Sequence, residues 1–303
     1  MKVKDGIIGL IVGDALGVPV EFKSRDELEK NPVTEMKSYG TYSQPAGTWS
    51  DDSSMTIATM TSIINKKGID YDNIMNEFCQ WSHHDKHTNS DDGCFDIGNA
   101  TSKALNKFNS GTPALECGGL GEWDYGNGSL MRILPLAFIP DIDYETIGNI
   151  SGLTHAHKRV KIACILYIEI AKSILANKNL SIDEHISNAN EKIKEYYKDS
   201  KSLESFKNIF DNYCPEEHYG RAHAIYTLES VLHCLRNTDN YKDAVLKAVN
   251  MGHDTDTTAA ICGGLAGIYY GFDSIPIDWI EQINRIDEVL SLCEKYEAFC
   301  DES

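Results

Sequence analysis

Along most of the chain, hydrophobic residues return every third or fourth position, which is the spacing of one buried helical face. The clearest run is Val160, Ala163, Cys164, Tyr167, Ile170, Ala171 and Ile174. The same periodicity predicts helices over 97–108, 222–235, 241–249 and 286–299, while the strict alternation of a half-buried strand is nearly absent. An all-α fold follows. Two segments are helical in character but crowded with small residues. Gly9, Gly13 and Gly17 recur every fourth residue, and Gly263, Gly264 and Gly267 share a stretch with Ala259, Ala260 and Ala266. Interior glycine costs a helix about 1 kcal/mol against alanine, so its repeated use makes sense where another backbone passes close by. Both segments are therefore expected at the centre of the molecule. The Lys- and Glu-rich stretch 187–207 is expected to form surface helices and a loop. With no linker or internal repeat in evidence, the chain reads as a single compact helical domain over 1–303.

Composition narrows the function more than the fold. Forty-six acidic against 28 basic residues leave a formal charge of -18, which repels a polyphosphate backbone unless one face gathers basic groups. Lys158, Arg159 and Lys161 are too short a group for that, so nucleic-acid binding is not expected. Nine cysteines, odd in number and never spaced as CxxC, argue against a disulfide framework and a zinc site and suit buried small hydrophobes. The apolar run 7–12 meets Asp14 too soon for a signal peptide, and no stretch approaches the roughly 20 apolar residues of a membrane span. A cytoplasmic monomer without a membrane partner is expected.

Two short acidic segments carry the candidate chemistry. Ser50-Asp51-Asp52-Ser53 and Asp254-Thr255-Asp256-Thr257 each stand directly before a helical run. Either one alone reads as an N-cap, because short polar side chains accept hydrogen bonds from free amides at a helix start. Together they read differently, since a cap needs one such residue and four carboxylates brought together repel. Two divalent cations would neutralise them. Oxygen-only ligands, including the hydroxyls of Ser50 and Thr257, suit magnesium or manganese. Adjacent residues on a helical turn diverge, so Asp51 and Asp52 can serve different ions. Gly126-Asn127-Gly128-Ser129 supplies a loop able to adopt positive backbone angles and to point amides at a ligand, or simply a turn. His155 and His157 read as capping or packing residues. His83, His84 and His87 have metal-like spacing without an evident acidic partner, and structural or solvent roles are expected for them. Glu21 and Asp96 by themselves read as surface residues.

In order along the chain stand GDALGVPVEF from Gly13, GTWSDDSSMT from Gly47, FDIGNAT from Phe95, GNGSLMR from Gly126, THAHKRV from Thr154 and GHDTDTTAAICGGLAGIYYG from Gly252. This series resembles the ADP-ribosylglycohydrolase family, from about the first helix to Gly271. The resemblance implies an orthogonal all-α fold with two magnesium or manganese ions at the bottom of an ADP-ribose cleft. It implies metal ligation by Ser50, Asp51, Asp52, Asp254, Asp256 and Thr257. Glu21 would be a catalytic or gating carboxylate, and Asp96 would stand beside the acceptor. Gly126, Asn127, Gly128, Ser129 and Met131 would hold phosphate and ribose, and His157 would contact the nucleotide. Two residues depart from the family pattern: Ser50 replaces the usual threonine and keeps the hydroxyl, and His253 stands where glycine is common.

The implied activity is hydrolysis of an N- or O-glycosidic bond between ADP-ribose and an acceptor, with the ions binding ribose hydroxyls and water. Glu21 or Asp52 would assist proton transfer at an oxocarbenium-like transition state. Arginine of a modified protein is the first acceptor, because a carboxylate at Asp96 suits a guanidinium; a small ADP-ribosyl substrate is also allowed. Two rival readings are a metal-dependent nucleotide phosphohydrolase and a non-catalytic ADP-ribose-binding protein.

Overall fold

The computed structural model describes residues 3–121 and 124–302. Among them are fourteen α-helices and no strand; the only β-type pairings are isolated bridges, Tyr39 to Gln44 and Gly119 to His155. In chain order the helices are α1 (Val3–Gly17), α2 (Arg25–Lys30), α3 (Asp51–Lys66), α4 (Tyr71–His84), α5 (Asn99–Asn109), α6 (Tyr144–Gly152) and α7 (Lys158–Ala176). There follow α8 (Ile182–Tyr196), α9 (Lys207–Phe210), α10 (Ala224–Arg236), α11 (Tyr241–Val249), α12 (Thr255–Tyr270), α13 (Ile277–Gln282) and α14 (Ile286–Glu302).

The periodic runs become the expected helices, with small shifts at their ends. The run 97–108 starts later, at Asn99, because Gly98 is extended and caps the helix. The run 222–235 starts at Ala224, after the His223 imidazole has accepted the free amide of Ile225. Within 187–207 lie most of α8 and a short 3-10 turn, both with exposed faces, as expected for a surface segment.

The two small-residue helices are central and lie against each other. In α1 every residue except Lys4 is buried, and in α12 everything from Thr255 to Ile268 is buried. A Cβ built on Gly9 would lie 2.3 Å from the Gly263 carbonyl oxygen, and one on Gly13 would lie 2.2 Å from that of Ala259. Gly17 in turn faces the Asp256 backbone at 2.3 Å. Residue numbers climb along α1 as they fall along α12, so the pair is antiparallel, with four-residue steps on α1 met by steps of four and three on α12. Backbones this close leave no room for side chains, which is why glycine is used despite its propensity cost.

Tyr241 donates its hydroxyl to the Gly9 carbonyl at 2.7 Å and Tyr167 to that of Ile261 at 3.1 Å, anchoring α11 and α7 to the pair. Around it, α3 and α14 pack on α1, while α7, α10 and α11 pack on α12. One continuous hydrophobic core runs from Val3 to Cys300. Eight of the nine cysteines are buried, Cys94 is half-buried, and all are free thiols. No helix among the described residues is long and apolar enough to cross a membrane.

Candidate active site

Because α1 and α12 are antiparallel, the C-terminal end of the first lies beside the N-terminal start of the second. The start of α3 packs against the same place, and three acidic segments therefore meet. Ser50 caps α3, its hydroxyl accepting the amide of Asp52 at 3.4 Å, so this part of the N-cap reading holds. Of the segment carboxylates, Asp256 accepts the free amide of Thr257 in the first turn of α12 at 2.9 Å. Asp254 makes no side-chain capping bond to α12; its Oδ2 accepts the Asn127 amide at 2.7 Å instead. Asp52 Oδ2 receives the hydroxyls of Ser50 at 3.2 Å and Thr257 at 3.3 Å, which ties the two acidic segments together.

Two more carboxylates join them from elsewhere in the chain. Glu21 and Asp96, surface residues on a default reading, are respectively buried and half-buried. Ligand oxygens of Asp14, Asp52 and Asp256 lie within 4.8 Å of one another, and so do those of Glu21, Asp96 and Asp256. At such spacing two full charges repel by about 3–4 kcal/mol even at an effective dielectric near 20.

The carboxyls accordingly hold their protons more tightly than free carboxyls do. Burial, reinforced by Asp96, lifts Glu21 to about 9, and burial lifts Asp14 to about 6 against its hydrogen bonds from Ser50 and Ser53. Burial also raises Asp51, Asp52 and Asp256, with the neighbouring carboxylates adding to the shift. Asp96 and Asp254 move upward for the same first reason, burial.

Three buried carboxylate oxygens, Glu21 Oε2, Asp52 Oδ1 and Asp256 Oδ2, have no hydrogen-bond partner. An orphaned buried acceptor is costly, and here three occur in one cluster of oxygen donors. That donor set fits hard divalent cations, magnesium or manganese, better than zinc. The two overlapping carboxylate groups share Asp256 and bring oxygen donors close enough to hold a cation.

Above the acidic floor opens a cleft of about 680 Å³. Glu21, Asp51, Asp96, Asp254 and Thr257 reach it from one side, and Gly126, Asn127, Gly128 and Met131 from the other. Ser50, Asp52 and Asp256 lie beneath. Two expected substrate contacts sit apart from the cleft. Ser129 is fully buried, bonded to the Ser151 hydroxyl at 2.9 Å, and His157 caps α7 by accepting the Arg159 amide at 3.2 Å.

The glycine loop also differs from its expected backbone: neither Gly126 nor Gly128 has a positive φ. Their small size answers to the His155 ring, whose Cε1 and Nε2 lie 2.8 and 3.2 Å from where the Cβ atoms of Gly128 and Gly126 would be. His155 is itself fixed from below, where Arg132 donates to the Thr154 hydroxyl and that hydroxyl pairs with His155 Nδ1, each at 2.8 Å. His87 does have an acidic partner, Glu77 at 2.8 Å, which also takes Lys86; neither residue belongs to the acidic floor.

Two site residues escaped the sequence reading. Asp14 accepts the amides of Ser50 at 2.9 Å and Ser53 at 3.0 Å and the Ser53 hydroxyl at 2.6 Å, so it holds the start of α3 in place. A carboxylate between two helix-packing glycines was a usable signal for it. Tyr42 donates to Asp96 at 2.5 Å from a turn 54 residues away, and nothing in the local sequence marks it.

A family model described as ADP-ribosylglycohydrolase matches residues 1–302. The chain belongs to the ADP-ribosylglycohydrolase family. It is by that membership a hydrolase. It is 28% identical to the ADP-ribosylarginine hydrolase Tri1 of Pseudomonas putida, over 97% of this chain and 77% of that protein. To the ADP-ribosyl-(dinitrogen reductase) glycohydrolase of Rhodospirillum rubrum it is 27% identical, over 91% of this chain and 88% of that one. The ADP-ribosylhydrolase ARH3 of Gallus gallus is 23% identical, over 97% of this chain and 92% of its own. A solved structure described as an ADP-ribosylglycohydrolase-related protein complex superposes with a TM-score of 0.77 at 24% identity, covering 99% of this chain and 98% of that one. The orthogonal all-α fold of this ADP-ribosylglycohydrolase is thus the expected one.

Proposed function

We propose that this enzyme hydrolyses the N-glycosidic bond joining ADP-ribose to an arginine side chain of a modified protein, with two magnesium or manganese ions in the acidic floor. The observation that carries this reading is the trio of orphaned carboxylate oxygens on Glu21, Asp52 and Asp256 at the floor of an open cleft, which Glu21 also lines. Ser50, Asp51, Asp52, Asp254, Asp256 and Thr257 would hold the ions. When bound, these supply Lewis-acid chemistry that neutralises the carboxylates and polarises ribose hydroxyls and water.

The chain's own groups then divide the work. Asn127, with its amide nitrogen on both Asp254 and the Thr227 hydroxyl at 2.9 Å, ties the glycine loop to the acidic floor. Gly126, Gly128 and Met131 leave that side of the cleft open to phosphate and ribose. Access favours Glu21 over Asp52 for proton transfer, because Glu21 lines the cleft while Asp52 is fully buried beneath it. A carboxyl held near neutral pH in its protonated form suits the acid role toward a departing nitrogen. Asp96, oriented by Tyr42, faces the acceptor side, where a carboxylate can accept from a guanidinium.

The likeness to a protein named ADP-ribosylarginine hydrolase supports the choice of acceptor. The continuous core supports a single domain over 1–303, and we assign the protein to the cytoplasm as a monomer.

The test is hydrolysis of defined arginine- and serine-linked ADP-ribosyl peptides, with and without a chelator. Free ADP-ribose from the arginine-linked peptide, lost on chelation and restored by magnesium or manganese, is the expected result. Asp96→Asn should lower its turnover far more than it weakens binding of free ADP-ribose. Release of AMP or inorganic phosphate instead would overturn the glycosidic reading, and full activity without metal would overturn the two-ion site.

A further inference from the structure

Phe22 directly follows Glu21 and is 69% exposed on the wall of the cleft. Its backbone φ is +64°, a conformation that costs a bulky residue energy and persists only where its surroundings enforce it. The enforcement is visible. The Phe22 amide donates to the His253 carbonyl at 2.6 Å, the His253 amide donates to the Lys23 carbonyl at 2.7 Å, and His253 is itself at φ +62°. Two strained residues thus lock each other so that an apolar ring stands in solvent beside the acidic floor. Hydrophobic burial cannot be the reason for that arrangement.

The ring has aromatic company. Its centroid lies 6.3 Å from that of Tyr42, which lies 4.9 Å from Phe95, the residue before Asp96. Tyr42 is held in turn by a rigid turn: Thr41 donates its hydroxyl to the Glu21 carbonyl at 2.8 Å, and a Cβ on Gly40 would lie 1.9 Å from the Pro19 carbonyl oxygen. The cleft wall therefore offers aromatic surface next to the carboxylate of Asp96. A planar, weakly hydrated cation is the ligand that uses both, stacking on the ring while its N–H groups meet the carboxylate.

We infer that Phe22 determines acceptor specificity by stacking on the guanidinium of an ADP-ribosylated arginine. The inference rests on the arginine reading of the same site. It also gives His253 a role, as the backbone clamp that fixes the ring.

Phe22→Leu keeps an unbranched Cβ, and so a similar backbone cost, but removes the aromatic face; Phe22→Trp keeps the face. The readout is kcat/KM on arginine-linked and serine-linked ADP-ribosyl peptides with the metal-loaded protein. Phe22→Leu is expected to lose about three- to thirtyfold on the arginine-linked peptide, the range of a cation over an aromatic ring, with little change on the serine-linked one. Phe22→Trp should recover most of the loss. Equal losses on both peptides, or none, overturn the role of Phe22 while the arginine reading stands. A wild-type protein that cleaves only the serine-linked peptide overturns the arginine reading and this inference with it.

Discussion

Stripped of divalent cations, this protein should lose stability as pH rises, and magnesium or manganese should remove that loss. A carboxyl whose pKa is raised by folding binds its proton more tightly folded than unfolded. Its contribution is complete below the unfolded pKa and disappears as pH climbs through the folded one. For Asp14 that window runs from 3.8 to about 6, and for Glu21 from 4.5 to about 9, with Asp51, Asp52 and Asp256 shifted the same way. Asp14 alone, rising by roughly two units, accounts for about 3 kcal/mol at about 1.4 kcal/mol per unit. At about 2 °C per kcal/mol for a chain of this size, that is a fall in Tm of about 6 °C between roughly pH 4 and pH 7. The other carboxyls extend the fall to higher pH as one coupled group.

A bound cation reverses the sign, because it needs deprotonated ligands and binds more tightly as pH rises. At a hundredfold excess over its Kd it adds about 2.7 kcal/mol to the folded state. Thermal melts followed by circular dichroism, in EDTA and in magnesium or manganese at matched ionic strength, should therefore nearly coincide at acid pH and separate by at least about 5 °C near pH 8. Parallel curves across the whole pH range would refute the reasoning, since they would mean that the acidic cluster carries no linked cation.

Asp256→Ala should abolish ADP-ribose release while helical content is retained, because Asp256 belongs to both carboxylate groups and its loss relieves repulsion as it removes a ligand. An N-cap role alone predicts about 1 kcal/mol of lost stability with activity kept, so a folded, metal-replete and active variant would defeat the assignment. Gly13→Ala should destabilise by about 3 kcal/mol or more and lower metal stoichiometry, since its Cβ meets the Ala259 carbonyl oxygen at 2.2 Å and only backbone can move. Gly148→Ala, whose nearest neighbour would be the Lys161 side chain at 3.6 Å, is the control and should be neutral or mildly stabilising in the same melts.

What could be read from the sequence was whatever has a local signature. Helical periodicity placed α5, α7, α10, α11 and α14 because each buries one face, and the glycine spacing marked α1 and α12 as central helices approached closely by another backbone, though not that each is the other's partner. The acidic segments stood out because paired carboxylates before small-residue helices make poor caps. Long-range partners were less legible. Tyr42 reaches Asp96 only through the packing of the 39–44 turn against Val18–Val20, and burial of Glu21 depends on the same contact. Size, rather than backbone freedom, accounts for Gly126 and Gly128, and the imidazole that demands it lies about thirty residues further on, at His155.

The fold and the acidic centre are consequences of one seam. Helices that pack through ordinary side chains keep their axes 8–10 Å apart, which would leave the end of α1 and the start of α12 too distant for short carboxylates to share ions. Glycine brings the backbones together at Gly9 against Gly263, Gly13 against Ala259 and Gly17 against Asp256. One further step along the same register brings Phe22 onto His253, where the amide-to-carbonyl bond of 2.6 Å continues the contact beyond the helices. The residues that this last step carries into place are Glu21, just after α1, and Asp254, just before α12. Asp14, between the glycines on α1, then draws in the third segment by accepting the free amides at the start of α3. Small residues that weaken two helices individually are thus what allows their acidic ends to act as one site, and any substitution that widens the seam should be felt first as a loss of metal.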